Sequence, residues 1–303
     1  MAVSRESKVL GQGDPLRKGL SDGTLPRTKA FRPGPIGDVS ATPQRSNEQS
    51  DGEWAEKAPI RPPAFRNIPR YSFYQSLRER MADPSKISQR TTSLCGPASL
   101  MFLSGGRWPE RYYRFVSTLY ESGSSTLGNL RVKPGEDCLN CNPIGSISPA
   151  DWVALAGIRD SENSLWDYDD VDDEIGGITM PSTLAKWLNQ VGFQNVTNET
   201  NLYFTKGEDN LRAASELYHT GHHVCMLINA TAISVAPSSG DPSGIFTSAN
   251  HWVVLTSEMQ FQGNNLSFTI FTWGERARRV PMGSGSMPVT WWLGGYYGYV
   301  ACK

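Results

Sequence analysis

Two residues of this chain have the chemistry of a nucleophile and its base. Cys95 precedes the small residues Gly96-Pro97-Ala98, where a helix is expected to start, and the positive end of a helix favours a thiolate. His251 begins an apolar segment of β type far downstream. A nucleophile and its base need only be adjacent in space, so the two residues predict thiolate attack with His251 as proton acceptor.

A third residue suits the stabilisation of a developing negative charge. Gln89 lies six residues before Cys95. An extended segment of that length can bring the Gln89 amide beside the thiol, where its NH2 and the backbone N–H of Cys95 would form an oxyanion hole.

A residue that orients the histidine ring should come from the strand that returns after His251. Thr272 is the nearest polar residue on that strand, and Asn265 and Glu275 are the alternatives. The catalytic set expected from the sequence is therefore Cys95, His251, Gln89 and Thr272.

The elements that must position these residues fall into two groups, helical patterns first and strand patterns second. Helices are predicted from about Tyr71, Cys95, Pro109, Ser148-Pro149, Pro181 and Asp209, with Asp151 completing a capping box at Ser148. Strands are predicted over 222–230, 251–257, 266–273, 289–293 and 296–301. This order predicts an α+β fold with an antiparallel sheet.

The first 70 residues have a different composition from the rest of the 303-residue chain. They are rich in Pro, Gly, Ser, Arg and Lys, with few large apolar residues and no persistent period. Such a segment buries too little apolar area to offset its ordering entropy. We therefore predict a disordered arm over 1–70 and a single domain over 71–303.

Several motifs resemble the papain superfamily of cysteine proteases, and in particular its C39-like branch. The similar segments are the Gln89 to Cys95 spacing, Gly96-Pro97-Ala98, 221–228, Asn250-His251-Trp252-Val253-Val254 and Thr272-Trp273-Gly274. The resemblance covers about 85–275, with 105–179 as a lineage-specific insertion. Where papain-like enzymes have Asn or Asp for the third residue, this chain has Phe271, which cannot orient a histidine.

The resemblance implies a papain-like fold, a Cys–His pair that cleaves a peptide amide bond, and no cofactor. Such domains occur in bacterial effectors and toxins, so the expected partners are a protein or peptide substrate and a cognate immunity or inhibitor protein. The same pair would also serve a deamidase, an acyltransferase or a peptidoglycan amidase. An alternative of another class is a catalytically silent binding module with this fold.

Composition excludes several other classes. The net charge of −1 gives no global electrostatic case for nucleic acid, and no stretch approaches the ~18 apolar residues of a membrane span. Met1–Leu20 has no apolar core of signal-peptide type, and five cysteines do not form an even disulfide framework. We expect a protein made in the reducing cytoplasm, whose export, if any, uses a dedicated system.

The remaining chemistry-bearing residues are interpreted as structural, and no metal site is expected. His222 and His223 should point to opposite faces of a strand, and His219 lies near a helix C-terminus. Cys138 and Cys141 form a single C-x-x-C in a loop without two further zinc ligands, so they are predicted as loop thiols rather than a disulfide or zinc site. The acidic run 167–174 is predicted as a solvated loop.

Overall fold

The computed structural model describes residues 61–163, 178–237, 246 and 248–303. Residues 1–60, most of the predicted arm, and the acidic run 167–174 lie outside the described residues. Within the described part, helices come first and an antiparallel sheet follows, which confirms the α+β class.

The helices lie mainly in the first half of the described chain. They are α1 Arg70–Ala82, α2 Cys95–Arg107, α3 Pro109–Ser122, α4 Glu136–Asn140, α5 Pro149–Asp151, α6 Gly157–Asn163, α7 Pro181–Val191, α8 Glu208–His219, α9 Thr231–Ser234 and α10 Val289–Gly294. A 3₁₀ turn, Pro84–Lys86, follows α1, and a π-helical turn, Trp152–Ala156, joins α5 to α6.

The strands form a two-stranded ribbon and one larger sheet. They are β1 Ser125–Leu127, β2 Leu130–Val132, β3 Thr197–Asn198, β4 His223–Ile228, β5 His251–Leu255, β6 Gln260–Gln262, β7 Asn265–Thr272, β8 Glu275–Val280, β9 Met287–Pro288 and β10 Tyr296–Cys302. The ribbon is β1–β2. The larger sheet has the order β3-β10-β4-β5-β7-β6, with β8 and β9 also paired to β7.

The central strands are buried on both faces, which explains why they read as continuous apolar runs rather than as alternating ones. In β4, Cys225 and Leu227 belong to the core shared with the first helices, whereas Val224 and Met226 belong to a second core under α8 and α10. The sheet therefore separates two apolar layers, and the helix that carries Cys95 packs on one of them.

The last residues of the predicted arm pack into the domain. Phe65 and Ile68 are fully buried. The N–H of Ala64 donates to the carbonyl of Tyr120, whose hydroxyl donates to the carbonyl of Ile68. The boundary predicted at residue 70 therefore lies too late, because two apolar residues in a Pro-rich segment are enough to anchor it.

Most predicted element starts agree with the structure, and one predicted strand is wrong. Pro109 and Pro181 open their helices, and Gly192, with φ of 115°, ends α7 in the left-handed conformation. Residues 289–293, predicted as a strand from their aromatic and β-branched content, form the helix α10. Val289 and Trp292 stand three residues apart and are both buried, so helical spacing satisfies the core better.

Among the described helices, none is both long and apolar enough to cross a bilayer.

Candidate active site

His251 and Thr272 meet where two neighbouring strands separate. The ladder between β5 and β7 contains only the pairs Val254–Phe271 and Leu255–Ile270. Beyond it, the Nε2 atom of His251 lies 2.7 Å from the Oγ1 atom of Thr272, and both side chains are almost fully buried, at 3 % and 2 % exposure. When Nε2 carries the ring proton and donates it to Thr272, Nδ1 is the nitrogen left to accept a proton from a thiol.

The turn after Thr272 covers one face of the histidine ring. Thr272 pairs with Glu275 across a two-residue turn in which Trp273 (φ 48°) and Gly274 (φ 85°) both have positive φ, as a tight hairpin requires. Positive φ is unfavourable for a bulky residue such as Trp273. Its ring stacks on His251, with centroids 4.8 Å apart. A strained residue therefore fixes the plane of the candidate base.

Cys95 is the first residue of α2, as predicted, and the residue is only 3 % exposed. Burial raises the pKa of the thiol to about 11, although backbone N–H groups of Trp252 and Gly96 point at the sulfur and favour the thiolate. Trp252 directly follows His251, so the thiol lies against the same end of β5 that carries the histidine.

Both members of the candidate pair are neutral at pH 7. Burial lowers the pKa of His251 to about 3, and the positive charge of Arg278, whose guanidinium lies 4.9 Å from the Trp273 ring centre, adds to the shift. Within the described residues, no hydrogen bond joins the Cys95 thiol to the ring of His251 or to the side chain of Gln89. The thiol and the imidazole are therefore two neutral groups without a hydrogen bond between them.

The loop that carries Gln89 is held by a buried ion pair. Arg80 on α1 donates from Nε and Nη2 to the two carboxylate oxygens of Asp151, at 3.0 and 2.8 Å. The same carboxylate accepts the backbone N–H of Ser88 at 3.2 Å. Burial raises the pKa of Asp151, and the bonds from Arg80 and Ser88 act in the opposite direction.

Asp151 therefore does not complete the capping box predicted at Ser148. The Ser148 hydroxyl makes no capping hydrogen bond to the helix, and it is buried without a hydrogen-bond partner in the described residues. Arg80, a residue that had no assigned role in the sequence, attracts the carboxylate more strongly than a backbone N–H does, because charge-assisted bidentate bonds are the stronger ones.

The Gln89 loop also packs against the turn above His251. A Cβ atom on Gly274 would lie 3.1 Å from the Cβ atom of Ser88, so this position needs glycine for close approach as well as for its φ. Gln89 itself is 7 % exposed, and its carbonyl accepts the N–H and the hydroxyl of Thr92. The Gln89 loop is thus held by Asp151 through the Ser88 N–H and by close packing of Ser88 against Gly274.

Thr179 connects the start of α2 to the histidine strand. Its carbonyl accepts the indole N–H of Trp252 at 2.8 Å, and its side chain lies so close to Gly96 that a Cβ there would come within 2.3 Å of the hydroxyl oxygen. Nothing in the sequence pattern around Thr179 predicts this contact, which depends on packing between distant segments.

A cleft of about 510 Å³ opens next to the residue that precedes Cys95. Leu94 and Trp152 provide apolar surface, and Arg159 contributes a positive charge that favours the Cys95 thiolate. Cys138 and Cys141, both free thiols, also line the cleft. Residues between 137 and 160 therefore supply most of the lining of this cleft.

The other candidates from the sequence lie away from the His251 ring. Asn265, at the far end of β7, is exposed and pairs with Gln262 and Pro288. Glu275 is exposed on β8, with its carboxylate 3.8 Å from Arg278. Of the three residues considered for orientation of the ring, only Thr272 contacts it.

The three other histidines occupy separate places. His219 is exposed and its Nδ1 lies 2.8 Å from Glu258. His222 is also near the surface, next to Thr220, whereas His223 packs edge-on against Phe193. No group of three or more His, Cys, Asp or Glu residues in the described ranges could hold a metal ion.

Comparison with known proteins assigns no family. No protein-family model, curated protein or solved structure is significantly similar to the chain.

Proposed function

We propose that the chain is a papain-like cysteine hydrolase that cleaves a peptide amide bond, with Cys95 as nucleophile and His251 as general base. The observation that carries the proposal is the 2.7 Å contact between His251 Nε2 and Thr272 Oγ1 under the Trp273 ring. It holds the imidazole in one orientation at the end of β5, where the Trp252 N–H meets the Cys95 thiol.

The proposed reaction has two steps. Nδ1 of His251 accepts the thiol proton as the sulfur attacks the substrate carbonyl carbon, and the imidazolium then protonates the leaving amine. Water, deprotonated by His251, hydrolyses the acyl-thioester and restores the thiol. The N–H of Cys95, which has no carbonyl acceptor one turn earlier in its helix, and the amide of Gln89 would hold the oxyanion.

The electrostatics favour slow turnover. A thiol with its pKa near 11 and an imidazole with its pKa near 3 do not form an ion pair at rest, so the proton must move during attack. Thr272 offers a neutral hydroxyl where a carboxylate would stabilise the imidazolium.

The test compares three proteins: the wild type, Cys95→Ala and the control Cys141→Ser. Each is incubated with target-cell proteins, a peptide library and purified peptidoglycan, and the products are analysed by mass spectrometry. New peptide termini made by the wild type and the control, but not by Cys95→Ala, support a protease. A mass change without a new terminus indicates a deamidase or acyltransferase, and cleavage of peptidoglycan alone indicates an amidase. Product formation by Cys95→Ala contradicts the proposal.

The second candidate is a catalytically silent binding module, and one observation favours it. Cys95 is 3 % exposed and its pKa is raised, so the thiol is poorly accessible at rest. A thiol-reactive peptide probe distinguishes the two functions. Labelling of Cys95 that depends on His251 supports the hydrolase, whereas a protein that stays unlabelled and yields no product in any of the three mixtures is a binding module.

A further inference from the structure

A second concave surface lies between α3 and the β1–β2 ribbon, on residues that the proposed reaction does not use. The groove has a volume of about 570 Å³. Phe115, Leu127 and Val132, all buried, form its apolar floor, and hydroxyl groups of Thr118 and Thr126 contribute polar surface. We refer to it as the basic groove because of the side chains around it.

Four cations surround the basic groove: Arg111 and Arg114 from α3, Arg131 from β2, and Lys133 just after it. The residues that line the groove include no Asp or Glu. None of the four cations forms an ion pair with another described residue. The groove therefore holds an uncompensated positive charge although the whole chain is nearly neutral.

One of these cations is fixed in place. The Nη2 atom of Arg111 donates to the carbonyl of Val191 at 3.1 Å, and the guanidinium lies 4.7 Å from the ring centre of Trp108. A guanidinium held on both sides loses little further freedom when an anion binds. Arg114, Arg131 and Lys133 are exposed at the rim and can adjust to a ligand.

The ribbon indicates which kind of anion fits. β1 pairs with β2 on one side, and within the described residues no strand pairs with its other side. Residues 124–128 line the groove in succession. An exposed strand edge forms main-chain hydrogen bonds with an extended peptide, which neither a phosphate ion nor a nucleic acid can reproduce. The lining residues also include no exposed aromatic ring on which a base could stack.

We propose that the basic groove binds an acidic, extended peptide segment of a partner or substrate protein. In this segment Asp or Glu alternates with an aliphatic residue. Successive side chains of a strand point to opposite sides, so the acidic residues would face the cations while the aliphatic ones contact Phe115 and Val132. At ~3.3 Å per residue, the ribbon accommodates roughly four or five residues.

Fluorescence anisotropy with a dye-labelled peptide of alternating Glu and Leu tests the proposal on the full chain. A peptide of alternating Lys and Leu and a single-stranded oligonucleotide serve as competing ligands. We expect the acidic peptide to bind best, and its affinity to fall as salt rises, because the Debye length shortens from ~10 Å at 0.1 M to ~3 Å at 1 M.

Variants with altered charge in the basic groove test whether the acidic peptide binds there. Arg114→Glu/Arg131→Glu should weaken binding at least about tenfold, since like charges then face each other. The matched control Arg276→Glu/Arg279→Glu, two exposed positions on β8, and the variant Cys95→Ala should change it by less than about twofold. The conservative variant Arg114→Lys/Arg131→Lys keeps both positive charges and should retain most of the affinity. This result would show that weaker binding of the Glu variant comes from the change of charge rather than from misfolding.

The proposal is overturned if the acidic peptide does not bind, if the basic peptide or the oligonucleotide binds more tightly, or if the Glu variant binds like the wild type. Hydrogen exchange gives an independent measurement, because main-chain pairing should slow exchange of amides in 125–127 when the peptide is added. Cys95→Ala leaves this outcome unchanged, so failure of the proposed hydrolase and failure of the groove are separate results.

Discussion

The sheet side of the candidate site, with His251, Thr272 and Trp273, is positioned differently from the helix side, with Gln89 and Cys95. On the sheet side, strand register and one tight turn bring residues 21 positions apart into contact. On the helix side, buried polar contacts between residues far apart in sequence hold the loop. Local geometry can thus build one half of a site, while the other half depends on contacts that only the complete fold provides.

The largest expected effect tests the helix side. Asp151→Ala removes the buried carboxylate that pairs with Arg80 and leaves the guanidinium only the Ser76 carbonyl and the more exposed Glu79 carboxylate. Removal of one member of a buried ion pair costs about 3–5 kcal/mol of unfolding free energy. Glu208→Ala, which removes the exposed partner of Arg212, should cost less than about 1 kcal/mol. Urea unfolding of both variants measures the difference.

A double variant separates stability from positioning. Arg80→Met/Asp151→Leu replaces the ion pair with apolar side chains and should recover most of the lost stability. The N–H of Ser88 still lacks its acceptor, so labelling of Cys95 by a peptide probe should stay impaired. If the double variant is labelled like the wild type, the ion pair stabilises the fold without positioning the Gln89 loop.

The second prediction concerns the sheet side. His251→Ala removes the proton acceptor and should slow probe labelling at Cys95 by at least about 10²-fold. The domain should remain folded, although loss of the buried ring and of its bond to Thr272 lowers the free energy of unfolding. His223→Ala is the matched control, because His223 is also partly buried on a strand, packed against Phe193. Equal loss in both variants would mean that the base is misassigned.

The contact between His251 and Thr272 could be predicted from the sequence for a physical reason. Strand periodicity is a local property, so it indicates Thr272, the nearest polar residue on the returning strand, as a partner of His251 before any tertiary contact is known. Arg80, Asp151 and Thr179 escape prediction because each acts through a contact more than 60 residues away. The position of Asp151 directly before the apolar run Trp152–Ala156 was the available signal, but nothing in the chain says that it pairs with Arg80.

The distinction between local patterns and long-range contacts also explains the errors in the fold prediction. The helix α10 was predicted as a strand because Trp and Val favour strands locally, whereas helical spacing places Val289 and Trp292 in the core. The arm boundary was placed too late because Phe65 and Ile68 are isolated in sequence and find their partners on α3. The ribbon β1–β2 was not predicted at all, since three-residue strands carry no measurable period.

The third prediction is a pH dependence of stability. The pKa of His251 is about 3 in the folded state and ordinary, near 6.5, in the unfolded state, so the unfolded chain binds more protons between these values. Stability should therefore fall as pH falls from about 6.5 towards 3. The loss from this residue is at most about 1.4 kcal/mol per pH unit, or roughly 2 kcal/mol by pH 5.

Urea unfolding of wild type and His251→Asn at pH 7, 6 and 5 checks this. The variant should show a shallower decline, since the substituted residue does not titrate. His223, whose pKa is also lowered by burial, contributes a slope of the same sign to both proteins and so does not affect the comparison. Parallel declines in the two proteins would mean that the His251 ring is accessible to protons in the folded state.

The smallest expected effect concerns Thr272. Thr272→Val keeps the size of the side chain and removes the hydroxyl, whereas Thr272→Ser keeps the hydroxyl. Loss of one buried hydrogen bond, worth about 1 kcal/mol, should slow Cys95 labelling roughly five- to tenfold in the Val variant and leave the Ser variant close to wild type.

If Thr272 had a structural role alone, its loss would lower stability without changing the tautomer of the His251 ring, so ring ¹⁵N chemical shifts are the decisive measurement. They should report Nε2–H in wild type and Ser, and a mixture of tautomers in Val, because the contact with Thr272 selects which nitrogen faces the thiol. Unchanged shifts in the Val variant would mean that the Trp273 stack alone orients the ring, and that the sheet side depends on the turn rather than on the hydroxyl.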